Sequence, residues 1–388
     1  MKKPVIFIST FEFSGDMHGE VLIREIRAKA PDAVIYGFGG PQMAAAGMEL
    51  LEDATRKSTI GFVEAIKNIR KLKGLIKTAI AAWEKRRPDL VIWFDSGGFN
   101  LLLAKEAKQR GIPVVCMFSP SAWAYGEDRA VKMAERIKLL LAIFPFEADF
   151  YRKFGVNAVS VGHPLIDRVK NDQPPEEYRR LLGVRPGQKL VGLLPGSRRQ
   201  EILRLLGPML EAALLINREL DVKWVLPKAA SLDRGWLEAI VRQYAVDVEI
   251  RDGDVYNLLA AADGAVVASG TASLEAAILN VPIVIVYRVS KLSFFIYRQL
   301  ASPRFKKQMM VGSPNIIMGR MVLPELLQDN VNAAKIAEHL RRILTDSAYN
   351  RRIREDLKTM RELIGPPGVM ERAAGLILKE ISENASKN

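Results

Sequence analysis

The chain has 388 residues, 49% of them hydrophobic and 26% charged, with a formal net charge of 57 − 44 = +13. At roughly 100–200 residues per domain that length points to two domains or three, and the composition excludes fibrous and disordered classes. One cysteine, Cys116, and three scattered histidines, His18, His163 and His339, cannot supply an intrachain disulfide, a thiolate cluster or a histidine-rich metal centre, so no metal is expected.

Residues 5–9 read as the first strand; this apolar run is too short for a secretory core of about 7–15 residues. A helical pattern follows over 19–29. Strands are then expected at 34–38, 90–94, 114–118 and 139–144, with helical segments between them. Residues 168–187 carry Pro174, Pro175, Pro186 and Gly187 among charges and read as a linker. The alternation restarts with strands at 190–194, 222–226, 246–250, 264–268 and 282–286, and residues 333–387 read as mostly helical. Continuous apolar strands separated by helices predict parallel βαβ units with helices on both faces. The fold class is therefore α/β, as two successive doubly wound, Rossmann-like parallel-sheet domains. No apolar run approaches the roughly 20 residues that span a bilayer, and a reducing cytoplasm is the expected setting.

In open parallel sheets ligands bind beyond the carboxyl ends of strands, so the loops there are where chemistry is expected. After the first strand, Ser14-Gly15-Asp16 and His18 sit at a strand-to-helix turn suited to an anion; alternatively Ser14 or Asp16 caps the helix. After residues 90–94, Asp95 precedes Ser96-Gly97-Gly98 and is either a general base or a cap. In the second half, Pro195-Gly196-Ser197-Arg198-Arg199 suits a pyrophosphate, because guanidinium groups add charge and bidentate hydrogen bonds. Ser269-Gly270-Thr271 offers hydroxyl and N–H donors to phosphate, and Glu275 is placed to hold a ribose diol. A capping box between Thr271 and Glu275 is the alternative, at a spacing of four rather than three. Together these turns suggest a nucleotide-diphosphate donor held between two domains.

The same residues occur within a longer ordered series. The first half carries Ser14-Gly15-Asp16, Gly39-Gly40-Pro41-Gln42-Met43, Phe94-Asp95-Ser96, Phe99-Asn100, Ser119-Pro120-Ser121-Ala122-Trp123-Ala124, Phe144-Pro145-Phe146-Glu147 and Val161-Gly162-His163-Pro164. The second carries Leu194-Pro195-Gly196-Ser197-Arg198, Ala268-Ser269-Gly270-Thr271-Ala272, Tyr287-Arg288, Pro314-Asn315-Ile316-Ile317, Gly319-Arg320 and Pro324-Glu325-Leu326-Leu327-Gln328. This succession resembles the lipid-A-disaccharide synthase family, from the first strand to about Gln328.

The resemblance implies a GT-B glycosyltransferase with its active site between two Rossmann-like domains. Residues 1–170 would bind acceptor and membrane, 188–365 would bind the UDP-sugar donor, and 366–388 would form a helical tail. The implied reaction joins UDP-2,3-diacylglucosamine to 2,3-diacylglucosamine 1-phosphate (lipid X). It gives a β-1,6 disaccharide and UDP with inversion and without metal or other cofactor. Asp95 becomes the first choice of base and His18 its rival, with Ser14, Gly15, Asp16 and Asn100 lining the acceptor side. Ser197, Arg198, Ser269, Gly270, Thr271, Glu275, Asn315 and Arg320 would serve the donor, and His163 is read as structural. The chain departs from the family where Gly97 replaces a common proline, Met321 a common glutamate and Gly126 a usual basic residue.

Two basic stretches suggest where the charge works. Residues 66–77 interleave aliphatics with five cations, and residues 288–307 interleave Phe294, Phe295 and Tyr297 with cations. Both suit the headgroup region of an anionic leaflet, which implies a peripheral enzyme on the inner face of the cytoplasmic membrane. For the first stretch the alternative is a core-facing helix with a solvated lysine face. A monomer or homodimer is expected. An enzyme like UDP-N-acetylglucosamine 2-epimerase is the other function considered. A nucleic-acid partner is not expected, since the cations lie among aliphatics rather than base-stacking aromatics.

Overall fold

A computed structural model describes residues 3–55, 69–94, 97–119, 127–290, 294 and 310–385. The chain divides into two units, residues 1–164 with 365–388, and residues 165–364.

In the first unit the elements run β1 (Val5–Ser9), α1 (Phe13–Lys29), β2 (Val34–Gly39), α2 (Pro41–Ala45), β3 (Glu49–Asp53), α3 (Ile69–Lys85), β4 (Leu90–Phe94), α4 (Gly97–Gln109), β5 (Val114–Met117), α5 (Asp128–Arg136), β6 (Leu139–Ala142), α6 (Pro145–Arg152) and β7 (Ala158–Ser160). The second unit holds α7 (Leu165–Arg168), α8 (Pro175–Leu181), β8 (Lys189–Leu194), α9 (Arg199–Ile216), β9 (Val222–Lys228), α10 (Arg234–Val241), β10 (Val248–Asp252), α11 (Val255–Ala261), β11 (Gly264–Ala268), α12 (Thr271–Ile278), β12 (Ile283–Tyr287), α13 (Ser313–Met318), β13 (Glu325–Leu327), α14 (Ala333–Thr345) and α15 (Ser347–Leu363). The last helix, α16 (Val369–Ala385), returns to the first unit.

Both sheets are parallel throughout, in the orders β3-β2-β1-β4-β5-β6-β7 and β10-β9-β8-β11-β12-β13. Each order reverses direction once, between β1 and β4 and between β8 and β11. That reversal opens the crevice at which such sheets bind ligands. Helices on both faces explain the unbroken apolar strands: every residue of β4 and of β11 is buried. Around Phe7 in β1 the first core gathers Tyr36, Phe38 and Trp83, each edge-to-face at 5.3–5.5 Å.

The structure corrects the sequence reading at several elements. Strands β3, β7 and β13 escaped it because all three lie at sheet edges and are short or half-exposed, without a continuous apolar run. Strand β5 stops at Met117 because Phe118 turns left-handed, with φ 63°. The segment read as a linker belongs to the second unit. Its Tyr178 is fully buried, and Arg179 pairs with Asp263 at 3.0 Å while donating to the carbonyls of Ala261 and Gln188 at 2.9 Å each. The helical tail is part of the first unit, which it joins through buried Met370, Ala373, Ala374 and Ile377 and through Arg372, whose Nη2 donates to the Val161 carbonyl at 2.8 Å.

The first basic stretch resolves toward its core-facing alternative wherever it is described. Leu75, Ala79 and Trp83 of α3 are buried in the first core, Leu72, Ile76 and Ile80 pack against it, and Lys73 and Lys77 face solvent. Residues 66–68 lie outside the described residues, as does nearly all of 288–307. Arg288 is described, and its guanidinium is occupied by the carbonyls of Gln328 at 3.1 Å and Val331 at 2.6 Å. Among the described residues no helix is long and apolar enough to cross a membrane.

Candidate active site

The described candidate residues of the first unit, Ser14, Gly15, Asp16, His18 and Asn100, lie on the helices that follow β1 and β4, the strands of its switch point. Ser9 closes β1, and its Oγ donates to Asn100 Oδ1 at 2.8 Å, while Asn100 Nδ2 donates to the Phe94 carbonyl at 3.3 Å. Asn100 is fully buried, and these two bonds pin the ends of β1 and β4 together. Gly15 lets α1 approach the strand end, since a Cβ there would collide with Thr10 Oγ1.

Asp16 is neither a cap of its own helix nor a cleft-lining group. Its carboxylate is fully buried and accepts from the backbone N–H groups of Gly40 at 3.0 Å, Gln42 at 3.1 Å and Met43 at 3.0 Å. It thus holds the start of α2 against α1, a carboxylate answering the unpaired donors of a helix N-terminus. Ser14 is exposed in the first turn of α1. His18 is half-buried, one turn further along, with its ring edge-to-face on Phe118 at 5.2 Å. His163 packs against Phe144 at 5.1 Å, and burial, reinforced by nearby His18, pushes its pKa down to about 4. Asp95 and Gly126 lie outside the described residues, and Gly97 opens α4.

In the second unit the turn after β8 supplies its own anion. The N–H groups of Ser197 and Arg198 donate to Glu201 Oε2 at 3.0 and 3.2 Å, and the Arg198 guanidinium meets Glu201 Oε1 at 3.1 Å. Arg198 nevertheless stays 82% exposed, held at its base with its charge toward solvent. The turn after β11 is different. Gly270 precedes α12 with φ 151°, and no side chain caps this helix, so Thr271 is not a capping-box partner of Glu275. Gly270 and Thr271 are exposed there. The hydroxyl of Ser269 is engaged, donating to the Val311 carbonyl at 2.8 Å.

Glu275, one turn into α12, accepts from the Tyr256 hydroxyl at 2.9 Å. Burial raises its pKa, while that hydrogen bond and nearby Arg168 oppose the shift. The Tyr256 hydroxyl is itself pushed up to about 12, chiefly by burial. Tyr256 was missed by sequence reasoning, although it follows the carboxyl end of β10 and the strand-end rule points to that loop.

Asn315 and Arg320 are both engaged within the second unit. Asn315 is fully buried; its Oδ1 accepts from Val322 and Leu323 N–H, and its Nδ2 donates to Leu323 O at 2.8 Å and Glu325 Oε1 at 2.6 Å. Arg320 forms a bidentate ion pair with Asp356, one contact at 3.1 Å. Met321, at the position where the family commonly has glutamate, is 51% exposed and accepts at Sδ from Asn315 at 3.0 Å.

Comparison with known proteins bears on the family and the fold. The family described as "Lipid-A-disaccharide synthetase" matches residues 6–375. The chain is 36% identical to the lipid-A-disaccharide synthase of Geobacter sulfurreducens over 379 residues, covering 97% of each chain. It is also 36% identical to that of Syntrophus aciditrophicus over 386 residues, covering 99% of this chain and 100% of the relative. Among solved structures, the calicheamicin glycosyltransferase CalG4 superposes with a TM-score of 0.62 at 18% identity, over 98% of this chain and 99% of the other. UDP-GlcNAc 2-epimerase from Neisseria meningitidis superposes with a TM-score of 0.58 at 10% identity, over 98% and 100%. These two likenesses concern the fold alone, which is the two-domain GT-B architecture. The match over nearly the whole length decides the family: the chain belongs to the lipid-A-disaccharide synthases, glycosyltransferases that form the lipid A disaccharide.

Proposed function

We propose that the first unit binds 2,3-diacylglucosamine 1-phosphate as acceptor and the second binds UDP-2,3-diacylglucosamine as donor. Asp95, immediately after β4, takes the proton of the acceptor 6-hydroxyl. The acceptor oxygen then attacks the donor anomeric carbon from the face opposite UDP, the bond to the β-phosphate oxygen breaks, and the anomeric centre inverts. The uncapped start of α12, with Gly270 and Thr271, receives the departing diphosphate, and Arg198 adds positive charge. Glu275, oriented by Tyr256, accepts from the ribose hydroxyls. The observation that carries this reading is the family match over residues 6–375, and a switch point in each sheet, β1/β4 and β8/β11, supports it.

The exposed lysines of α3 and the net charge of +13 support a working position on the anionic inner face of the cytoplasmic membrane, where lipid substrates reside. Asp95→Ala tests the assignment of the base. Loss of a general base lowers kcat by about 10²–10⁴-fold, with the thermal midpoint unchanged. Retained turnover would move the base to His18.

A further inference from the structure

Glu325 lies at the start of β13, at the edge of the second sheet and away from the turns discussed above, yet its carboxylate is a hub. Oε2 accepts from Val311 N–H at 2.8 Å, and Oε1 accepts from Gly312 N–H at 3.0 Å and from Asn315 Nδ2 at 2.6 Å. Gly312 permits this approach, since a Cβ there would come within 2.8 Å of Glu325 Oε1. Asn315 is fixed in turn by four further contacts to residues 321–323. The carbonyl of Val311 then accepts the Ser269 hydroxyl, and Ser269 N–H donates to the Val286 carbonyl at 2.9 Å. A continuous chain of bonds therefore runs from Glu325 through residues 311–312 to the turn that starts α12.

Because the Ser269 proton is committed to Val311, Ser269 offers a phosphate no donor. Its part is to fix the turn whose Gly270 and Thr271 groups remain exposed. We infer that Glu325 is a positioning residue for the donor diphosphate, acting through the Val311–Ser269 link on the start of α12. This rests on the reading of that turn as the diphosphate site. A carboxylate suits the task because it accepts at both oxygens, whereas an amide would place N–H groups against the donors of residue 311 or 312.

The test is UDP binding by calorimetry, with donor KM and kcat, in the full chain carrying Glu325→Gln, Ser269→Ala, the pair together, or Thr271→Ala. Loss of one charge-assisted hydrogen bond predicts about tenfold weaker UDP binding and an equal rise in donor KM for Glu325→Gln, with kcat held within about threefold. Ser269→Ala should weaken binding similarly while leaving the buried hub intact, and the double variant should add little to either single change. If Glu325→Gln fails to fold, Ser269→Ala decides: unaltered UDP affinity overturns the inference. UDP affinity that falls with Thr271→Ala but not with Glu325→Gln or Ser269→Ala also overturns it, and leaves the diphosphate site standing. UDP affinity unchanged by all of them, Thr271→Ala included, removes the diphosphate site and the inference together. Additive losses in the double variant would contradict a shared path.

Discussion

At the scale of single residues, chemistry that looks alike in sequence divides by burial. Asp16, Asn100 and Asn315 are polar groups in motif positions, yet each is fully buried and answers backbone groups or its own strand ends. Arg198 and Thr271 stand in equally short motifs and remain exposed. His163 gives this distinction a pH signature. Its folded pKa is lowered from the usual 6.5 to about 4, so the folded state refuses a proton that the unfolded chain accepts. Its contribution is therefore present above pH 6.5 and lost as pH falls toward 4, amounting to about 3 kcal/mol at most. Denaturant midpoints measured across that range should fall steeply in the parent and less steeply in His163→Gln. Equal slopes would contradict the assignment, because the lowered His339 is common to both proteins.

At the scale of elements, the hydrophobic pattern identified the central strands and, of the four edge strands, only β10, which it set two residues early. Strands buried on both faces carry unbroken apolar runs, as β4 and β11 do, whereas β3 mixes Glu49, Glu52 and Asp53 with two leucines. The site was legible to the extent that strand ends announce it: Ser14, His18, Ser197, Gly270, Thr271 and Glu275 all follow strands of the predicted set. What the sequence could not show was which partner each polar group would meet. Glu325 lay within a quoted motif and Glu201 two residues beyond one, but only three-dimensional contacts reveal their carboxylates answering backbone donors. Helix α3 follows the same lesson. Its aliphatics belong to the core, so its described part presents exposed lysines rather than an apolar face, and the proposed membrane contact through it would be one of charge. At roughly 1 kcal/mol per lysine near an anionic surface, Lys73→Glu with Lys77→Glu should weaken co-sedimentation with phosphatidylglycerol vesicles by about tenfold or more at low salt. Binding that survives both charge reversals would place the membrane contact elsewhere.

At the scale of the whole molecule, each unit is a complete doubly wound sheet with its own switch point, and the chain returns from the second unit to finish the first with α16. The architecture is shared by glycosyltransferases and UDP-GlcNAc 2-epimerases, so fold alone does not choose between transfer and epimerisation. The family match does, and the roles proposed for Asp95, Arg198, Thr271 and Glu275 give that chemistry a physical route. The most direct test supplies the full chain with UDP-2,3-diacylglucosamine and 2,3-diacylglucosamine 1-phosphate and follows products by mass spectrometry. The account predicts the β-1,6 disaccharide 1-phosphate and UDP in equal amounts. Release of UDP without disaccharide, epimerised donor, or no product while an established lipid-A-disaccharide synthase turns over in the same assay would contradict it.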